Sequence, residues 1–276
     1  MGRDGRGSNR GNPDHGHSSE RGHKNLRESR EKFLDGIGVP EPKPFVPDEF
    51  QLQAVQSLAD NKDTLVIAPT GAGKTYIAVE AIRAVVESGK RAIYTAPLKA
   101  LSNSKYGEFR KRFEPDHTVG LLTGDRKIDT EADIVVATTE IYRNNLYSFS
   151  ESYSLVVLDE FHYLSDPQRG AVWEESIILS PRSSVLLMLS ASISNSDEIA
   201  EWIHEVRRKE IQIIKVTERP VQLRLGFLHP DLGVIPIENA KGEISHEIID
   251  YYNRPADPRP RMRGFRGRGN QSRRRR

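Results

Sequence analysis

From Thr64 onward, short runs of consecutive apolar residues alternate with stretches in which apolar residues recur every three or four positions. The runs Thr64–Ala68, Arg91–Ala96, Thr118–Leu121, Ile134–Ala137, Leu155–Leu158, Val185–Leu189 and Ile211–Val216 each predict a strand. They are continuously apolar rather than alternating, the pattern of parallel strands covered on both faces. Between them Ile77, Ala78, Ala81, Ile82 and Val85 keep helical spacing, as do Ile199, Trp202 and Ile203. Phe50 to Leu58 fits a helix ahead of the first strand. Repeated strand–helix units call for right-handed crossovers, and so predict an α/β fold on a doubly wound parallel sheet. Past Arg219-Pro220 the pattern changes: Val221–Leu228 and Gly233–Ile237 predict strands, and Ile244–Tyr252 a short helix.

The two ends follow neither pattern. Residues 1–32 carry too few apolar side chains to offset chain entropy and predict a disordered basic tail. Residues 33–49 form an extended lead-in punctuated by Pro40, Pro42, Pro44 and Pro47. The main domain is expected over 50–228, a connecting segment over 229–253, and a disordered tail rich in Arg and Gly over 254–276. The net charge of +2 conceals this division. Residues 1–32 hold 8 Lys and Arg against 5 Asp and Glu, residues 254–276 hold 10 Arg against Asp257 alone, and the remainder is −10. Basic arms on an acidic body suit contact with a polyanion, or serve solubility alone. With no cysteine, a disulfide scaffold, a Cys-type zinc site and a thiol nucleophile are excluded, and the composition fits a reducing cytoplasm. No secretory signal or membrane-spanning stretch is visible.

Chemistry enters at Ala68-Pro69-Thr70-Gly71-Ala72-Gly73-Lys74-Thr75, where the first strand gives way to a helix starting near Lys74. Gly71 and Gly73 allow backbone N–H groups to curl around phosphates at a helix N-terminus, with Thr70 and Ala72 between and before them. Lys74 would reach the β- and γ-phosphates of ATP, and the Thr75 hydroxyl would bind Mg²⁺. Ala68 stands where a glycine is usual. Eighty-five residues after Lys74, the apolar strand Leu155–Leu158 ends in Asp159-Glu160-Phe161-His162. Asp159 would hold Mg²⁺, and Glu160 would orient or deprotonate the attacking water.

These elements, with what lies between and after them, resemble the first RecA-like lobe of a superfamily-2 helicase. The Asp159-Glu160-Phe161-His162 box makes the resemblance DExH-type, with Ski-like RNA helicases the nearest likeness, over roughly residues 45–228. Phe50-Gln51 resembles the helix that reads adenine, with Gln51 as the contact. Ala96-Pro97-Leu98-Lys99-Ala100-Leu101, Thr123-Gly124-Asp125 and Ala137-Thr138-Thr139-Glu140 resemble motifs that grip a nucleic-acid backbone in that family. The resemblance therefore implies contacts from Pro97, Lys99, Thr123, Gly124, Thr138 and Thr139. Ser190-Ala191-Ser192 stands where Ser-Ala-Thr is usual, and Ser190 and Ser192 would couple hydrolysis to strand movement, with His162 bridging to them. Arg169-Gly170, Trp173-Glu174-Glu175 and Arg219-Pro220-Val221 also match the Ski-like pattern.

In an open parallel sheet, ligands bind at the carboxyl ends of the strands. Lys99, Thr123, Thr138 and Thr139 all follow predicted strands, so they are expected to share one rim with Lys74 and Asp159. Hydroxyls, amides and a lysine position a strand without reading its sequence. The resemblance implies single-stranded RNA as partner, with DNA possible, and a second RecA-like lobe supplying arginine fingers. Nothing in residues 229–276 resembles that motif. Such fingers contribute about 10³–10⁵ in rate, so weak hydrolysis and no unwinding are expected of these 276 residues alone. An RNA-binding adaptor and a P-loop translocase of another machine are the alternative readings.

Overall fold

The computed structural model describes residues 30–31, 33–35, 44–148, 153–219, 223–239 and 241–254. Residues 43–222 cluster as one unit, and the described residues outside that span as another. In the larger unit, α1 (Glu49–Ala59) leads through β1 (Asp63–Ile67), α2 (Lys74–Glu87), β2 (Ala92–Ala96) and α3 (Lys99–Phe113) to β3 (Val119–Leu122). A short β4 (Lys127–Ile128) follows, then β5 (Ile134–Thr138), α4 (Thr139–Ser148), β6 (Leu155–Leu158) and a 3₁₀ turn (Phe161–Ser165). The unit closes with α5 (Gly170–Leu179), β7 (Val185–Ser190), α6 (Ser196–Arg207) and β8 (Ile211–Lys215).

The eight strands form one sheet in the order β4-β3-β5-β2-β6-β7-β1-β8. Every pairing is parallel except that of β3 with β4. The fold is doubly wound, as the apolar runs imply, and RecA-like, as the resemblance implies. Burial of both faces explains why those runs are continuous. Val66, Tyr94, Val136 and Val157 face a core layer shared with Ala54, Ile77, Ile82 and Phe109. Their neighbours Leu65, Ile93, Val135 and Val156 face a second layer with Tyr142, Trp173, Ile177 and Ile203. For the seven strands expected in this unit, predicted ends differ from the observed ones by at most one residue. Arg91 lies just before β2: its carbonyl accepts the Ser154 N–H at 2.8 Å, and its guanidinium donates to the carbonyls of Thr130 (2.6 Å) and Ala132 (3.0 Å). Helix α3 escaped the periodicity because its buried residues are only Ser102, Phe109 and Phe113.

Beneath β1 lies a buried ion pair. Asp63 and Arg207 are 0% and 2% exposed, and Arg207 Nε donates to Asp63 Oδ2 at 2.5 Å. The remaining guanidinium N–H groups serve the carbonyls of Ile177, Ser180, Pro181 and Ser184, while Asp63 Oδ1 accepts the Leu186 N–H. The pair joins α6, the segment between α5 and β7, and the start of β1.

In the smaller unit, β9 (Gly226–His229) and β10 (Gly233–Pro236) form an antiparallel pair, and α7 (His246–Asn253) packs Tyr251 against Phe227 and His229. The strand expected from Val221 begins only at Gly226. Leu223 and Leu225 are exposed, and residues 220–222 lie outside the described residues. Arg224 donates to the carbonyls of Phe33 and Asp35, next to the short helical turn that includes Arg30, Glu31, Phe33 and Leu34. Of the tails read as disordered, all but Arg30, Glu31 and Arg254 lie outside the described residues, as does much of the lead-in. No helix among the described residues is long and apolar enough to cross a membrane.

Candidate nucleotide site and nucleic-acid rim

Strand order decides what can meet at the carboxyl rim. Adjacent strands β6, β7 and β1 end in Asp159, Ser190 and the loop Ala68–Thr75. Adjacent strands β3, β5 and β2 end beside Thr123, Thr138 and Pro97. The candidate nucleotide residues thus gather on one half of the rim and the candidate nucleic-acid contacts on the other, meeting between β2 and β6, with strands about 5 Å apart.

In the nucleotide half, Gly71 and Gly73 take φ of +89° and +79°, conformations open to glycine at little cost. Gly73 has a second reason to lack a side chain, since a Cβ there would lie 2.5 Å from Gln51 Nε2. Gln51 is 1% exposed. Its Nε2 donates to the carbonyls of Ala72 (3.2 Å) and Gly73 (3.1 Å), while its Oε1 accepts the Asp48 N–H at 2.9 Å. In this structure Gln51 therefore fixes the loop from behind, and all of its polar atoms are engaged. Lys74 Nζ donates to the carbonyls of Ala68 (2.5 Å) and Pro69 (3.2 Å). Burial holds its pKa below the usual lysine value, against the pull of Glu160 and Asp159.

Asp159 is held by a residue the sequence reading passed over. The Tyr94 hydroxyl donates to Asp159 Oδ2, and Oδ1 accepts the Glu160 N–H at 2.9 Å. Tyr94 is fully buried, and burial followed by the Asp159 charge raises its pKa well above that of free tyrosine. Lys105, also unforeseen, donates to Thr75 Oγ1 at 3.1 Å and to Glu108 at 2.9 Å, with its ammonium 5.9 Å above the Tyr94 ring. A cation thus already sits on the Thr75 hydroxyl. Thr75 and Asp159 offer hard oxygen donors, the type magnesium takes together with phosphate oxygens and waters, and the residues present fit that ion.

Glu160 adopts φ +52°, a left-handed conformation costing a non-glycine residue about 1–2 kcal/mol and found disproportionately at functional sites. His162 Nδ1 lies 3.3 Å from Glu160 Oε2, outside hydrogen-bond geometry. It makes no hydrogen bond to Ser190 or Ser192. Ser190 Oγ donates to the Ser192 carbonyl at 3.2 Å, and His162 and Ser192 line one cleft with Pro69 and Arg219. Phe45, likewise missed, exposes its ring at the loop-bearing helix, 4.9 Å from the Tyr76 ring.

In the other half, Lys99 reaches Asp125 at 3.1 Å and Thr123 Oγ1 donates to the same carboxylate at 3.0 Å, holding it below the usual carboxylate range. Of the six candidate contacts, Lys99 and Gly124 are exposed. Pro97, Thr123, Thr138 and Thr139 are buried, and the Thr139 hydroxyl turns inward toward Thr95 (3.5 Å).

A phosphate-loop sequence and an acidic strand end separated by one strand are the arrangement of P-loop ATPases, and the comparisons narrow it to helicases. The DEAD/DEAH box helicase family profile matches residues 48–199, and this chain belongs to that family. Its relatives include Ski2-like DExH-box RNA helicases. DExH-box ATP-dependent RNA helicase DExH15 chloroplastic of Arabidopsis thaliana is 44% identical over 207 residues, covering 72% of this chain and 17% of that protein. Antiviral helicase SKI2 of Saccharomyces cerevisiae is 38% identical over 211 residues, covering 74% of this chain and 16% of that one. The Probable helicase HelY of Mycobacterium tuberculosis is 39% identical over 236 residues, covering 80% and 26%. The chain thus spans between 16% and 26% of the length of these three relatives. Among solved structures, the DUF1998 helicase MrfA bound to DNA shares the fold, with TM-score 0.52 and 18% identity over 70% of this chain and 30% of that one.

Proposed function

We propose that this chain is the ATP-binding lobe of an ATP-dependent DExH-type RNA helicase. Mg·ATP binds at the Gly71–Thr75 loop, and single-stranded RNA lies across the half of the rim bearing Lys99 and Gly124. The observation that carries this reading is the sheet order, which leaves only β7 between the loop after β1 and Asp159-Glu160 after β6. Lys74 contacts the phosphates, and Gln51 holds the loop in shape for them. Thr75 and Asp159 hold Mg²⁺, which when bound neutralises phosphate charge. Glu160 takes or orients the proton of the attacking water. The exposed Phe45 ring offers a face to the base. Lys99 and the main chain at Gly124, Thr138 and Thr139 meet the phosphodiester backbone without reading bases.

RNA is preferred to DNA on the strength of relatives named as RNA helicases, although MrfA was solved on DNA. A second RecA-like lobe completes the motor, and hydrolysis by these residues alone is slow. The cysteine-free composition supports a cytoplasmic setting. The test is Lys74→Ala, which should abolish binding of a fluorescent ATP analogue while leaving the circular dichroism and melting curve unchanged. Unaltered nucleotide affinity refutes the assignment.

A further inference from the structure

Arg169 enters the sequence reading only as half of an Arg-Gly pair. Its surroundings give it a larger role. It is the residue ahead of α5, where Gly170 fits so tightly that a Cβ would lie 2.3 Å from the Leu164 carbonyl oxygen. The helix start is therefore pinned to the 3₁₀ turn that follows Asp159-Glu160, and the guanidinium is thrown across the rim. One terminal nitrogen, Nη2, donates to the Pro97 carbonyl at 2.6 Å and to the Glu140 carboxylate. Pro97 precedes Lys99 on the loop after β2, and Glu140 follows Thr138 and Thr139 at the start of α4. A single side chain thus ties together two of the three loops that make up the nucleic-acid half.

The other end of the connection reaches the nucleotide half. The guanidinium carbon lies 5.2 Å from the Tyr163 ring centroid and 6.0 Å from that of Trp173, and those two rings stack at 5.5 Å with planes 14° apart. Tyr163 in turn lies against His162, with centroids 5.0 Å apart, and His162 sits 3.3 Å from Glu160. The contacts run without a gap from Glu160 through His162 and Tyr163 to Arg169, and from there to Pro97 and Glu140. β2 and β6 meet here, so this bridge spans the boundary between the two halves.

We propose that Arg169 is a positioning residue that couples nucleotide binding to the RNA grip, by holding the Pro97 and Glu140 loops in register with the turn carrying His162. It contacts neither ligand. This inference rests on the assignment of the two halves above.

The experiment is a linkage measurement on the full chain. Anisotropy of a labelled single-stranded RNA of about ten nucleotides is followed without nucleotide and with a saturating non-hydrolysable Mg·ATP analogue. Affinity for the analogue is measured with and without RNA, because coupling must be reciprocal. In the wild type the two ligands should change each other's affinity by about fivefold or more. Arg169→Ala should bring that factor to within about twofold of unity, while affinity for the analogue alone stays unchanged. Arg169→Lys, which keeps the charge but lacks the planar fork and stacking face, should fall between them. A merely structural role would lower the melting temperature and leave the factor at its wild-type value, which overturns the proposal. If Arg169→Ala does not fold, Arg169→Lys and Glu140→Gln carry the same comparison. A wild type that binds nucleotide but no RNA overturns the functional reading and this inference with it. A wild type that binds both with a factor of one overturns the coupling alone.

Discussion

Gly73→Ala is the substitution whose cost can be worked out most completely. A residue with a Cβ at φ +79° occupies the left-handed region, at about 1–2 kcal/mol. The new Cβ would also lie 2.5 Å from Gln51 Nε2, so the amide must withdraw from the carbonyls of Ala72 and Gly73. Each of those bonds contributes about 0.5–1.5 kcal/mol, giving a total near 2–5 kcal/mol. If the loop must recover its shape to bind nucleotide, affinity falls by roughly 30-fold at the lower end of that range. Titration with a fluorescent ATP analogue reads this directly. Gln51→Ala supplies the control, because removing the amide removes the collision. In that background Gly73→Ala should cost only the backbone penalty, and the double variant should be better than additive by about 1–3 kcal/mol. Strict additivity would refute the picture of Gln51 holding the loop from behind, and wild-type affinity in Gly73→Ala would refute the loop assignment as well.

Three further outcomes follow from the same coordinates. Tyr94→Phe removes a hydrogen bond to the Asp159 carboxylate, and should weaken Mg²⁺-dependent nucleotide binding about tenfold, leaving binding in excess EDTA unchanged; equal losses in both titrations would refute the assignment of Asp159 to the metal. Burial lowers the Lys74 pKa, so the charged form is lost at a pH below the ordinary lysine value of 10.5. ATP affinity should therefore begin to fall on the alkaline side before that value, and a profile flat up to it counts against Lys74 as the phosphate ligand. Arg207→Met leaves the buried Asp63 carboxylate with Lys209, 3.9 Å away, as its counter-ion and should lower stability by about 3 kcal/mol, the lower end for a broken buried pair, in urea titrations, a loss under about 1 kcal/mol being incompatible with the contacts described.

The strands were legible because a sheet covered on both faces demands unbroken apolar runs, and the phosphate loop because glycines and lysine stand between a strand and a helix. Contacts between residues distant in the chain were not. Tyr94 reads as one more large residue in an apolar run, and its bond to Asp159 spans 65 positions. Arg169 meets Pro97 across 72 positions. A hydroxyl in a strand expected to be covered on both faces is a signal that could have marked Tyr94 as needing a buried partner. Lys105 lies on a helix too polar for its periodicity to show. The threonines of the rim were correctly expected at strand ends, but which of their atoms face outward depends on packing that no spacing encodes.

Lys74 brings a consequence for the end of a catalytic cycle rather than its start. Its ammonium already donates to the carbonyls of Ala68 and Pro69, so on the proposed assignment an arriving phosphate would exchange one set of acceptors for another rather than fill a void. The affinity gained is the difference between the two sets. A departing product leaves behind a lysine with partners at hand, which lowers the cost of letting go. If the proposed function holds, ADP must leave as reliably as ATP arrives, and a loop able to satisfy its own lysine would favour turnover over tight retention.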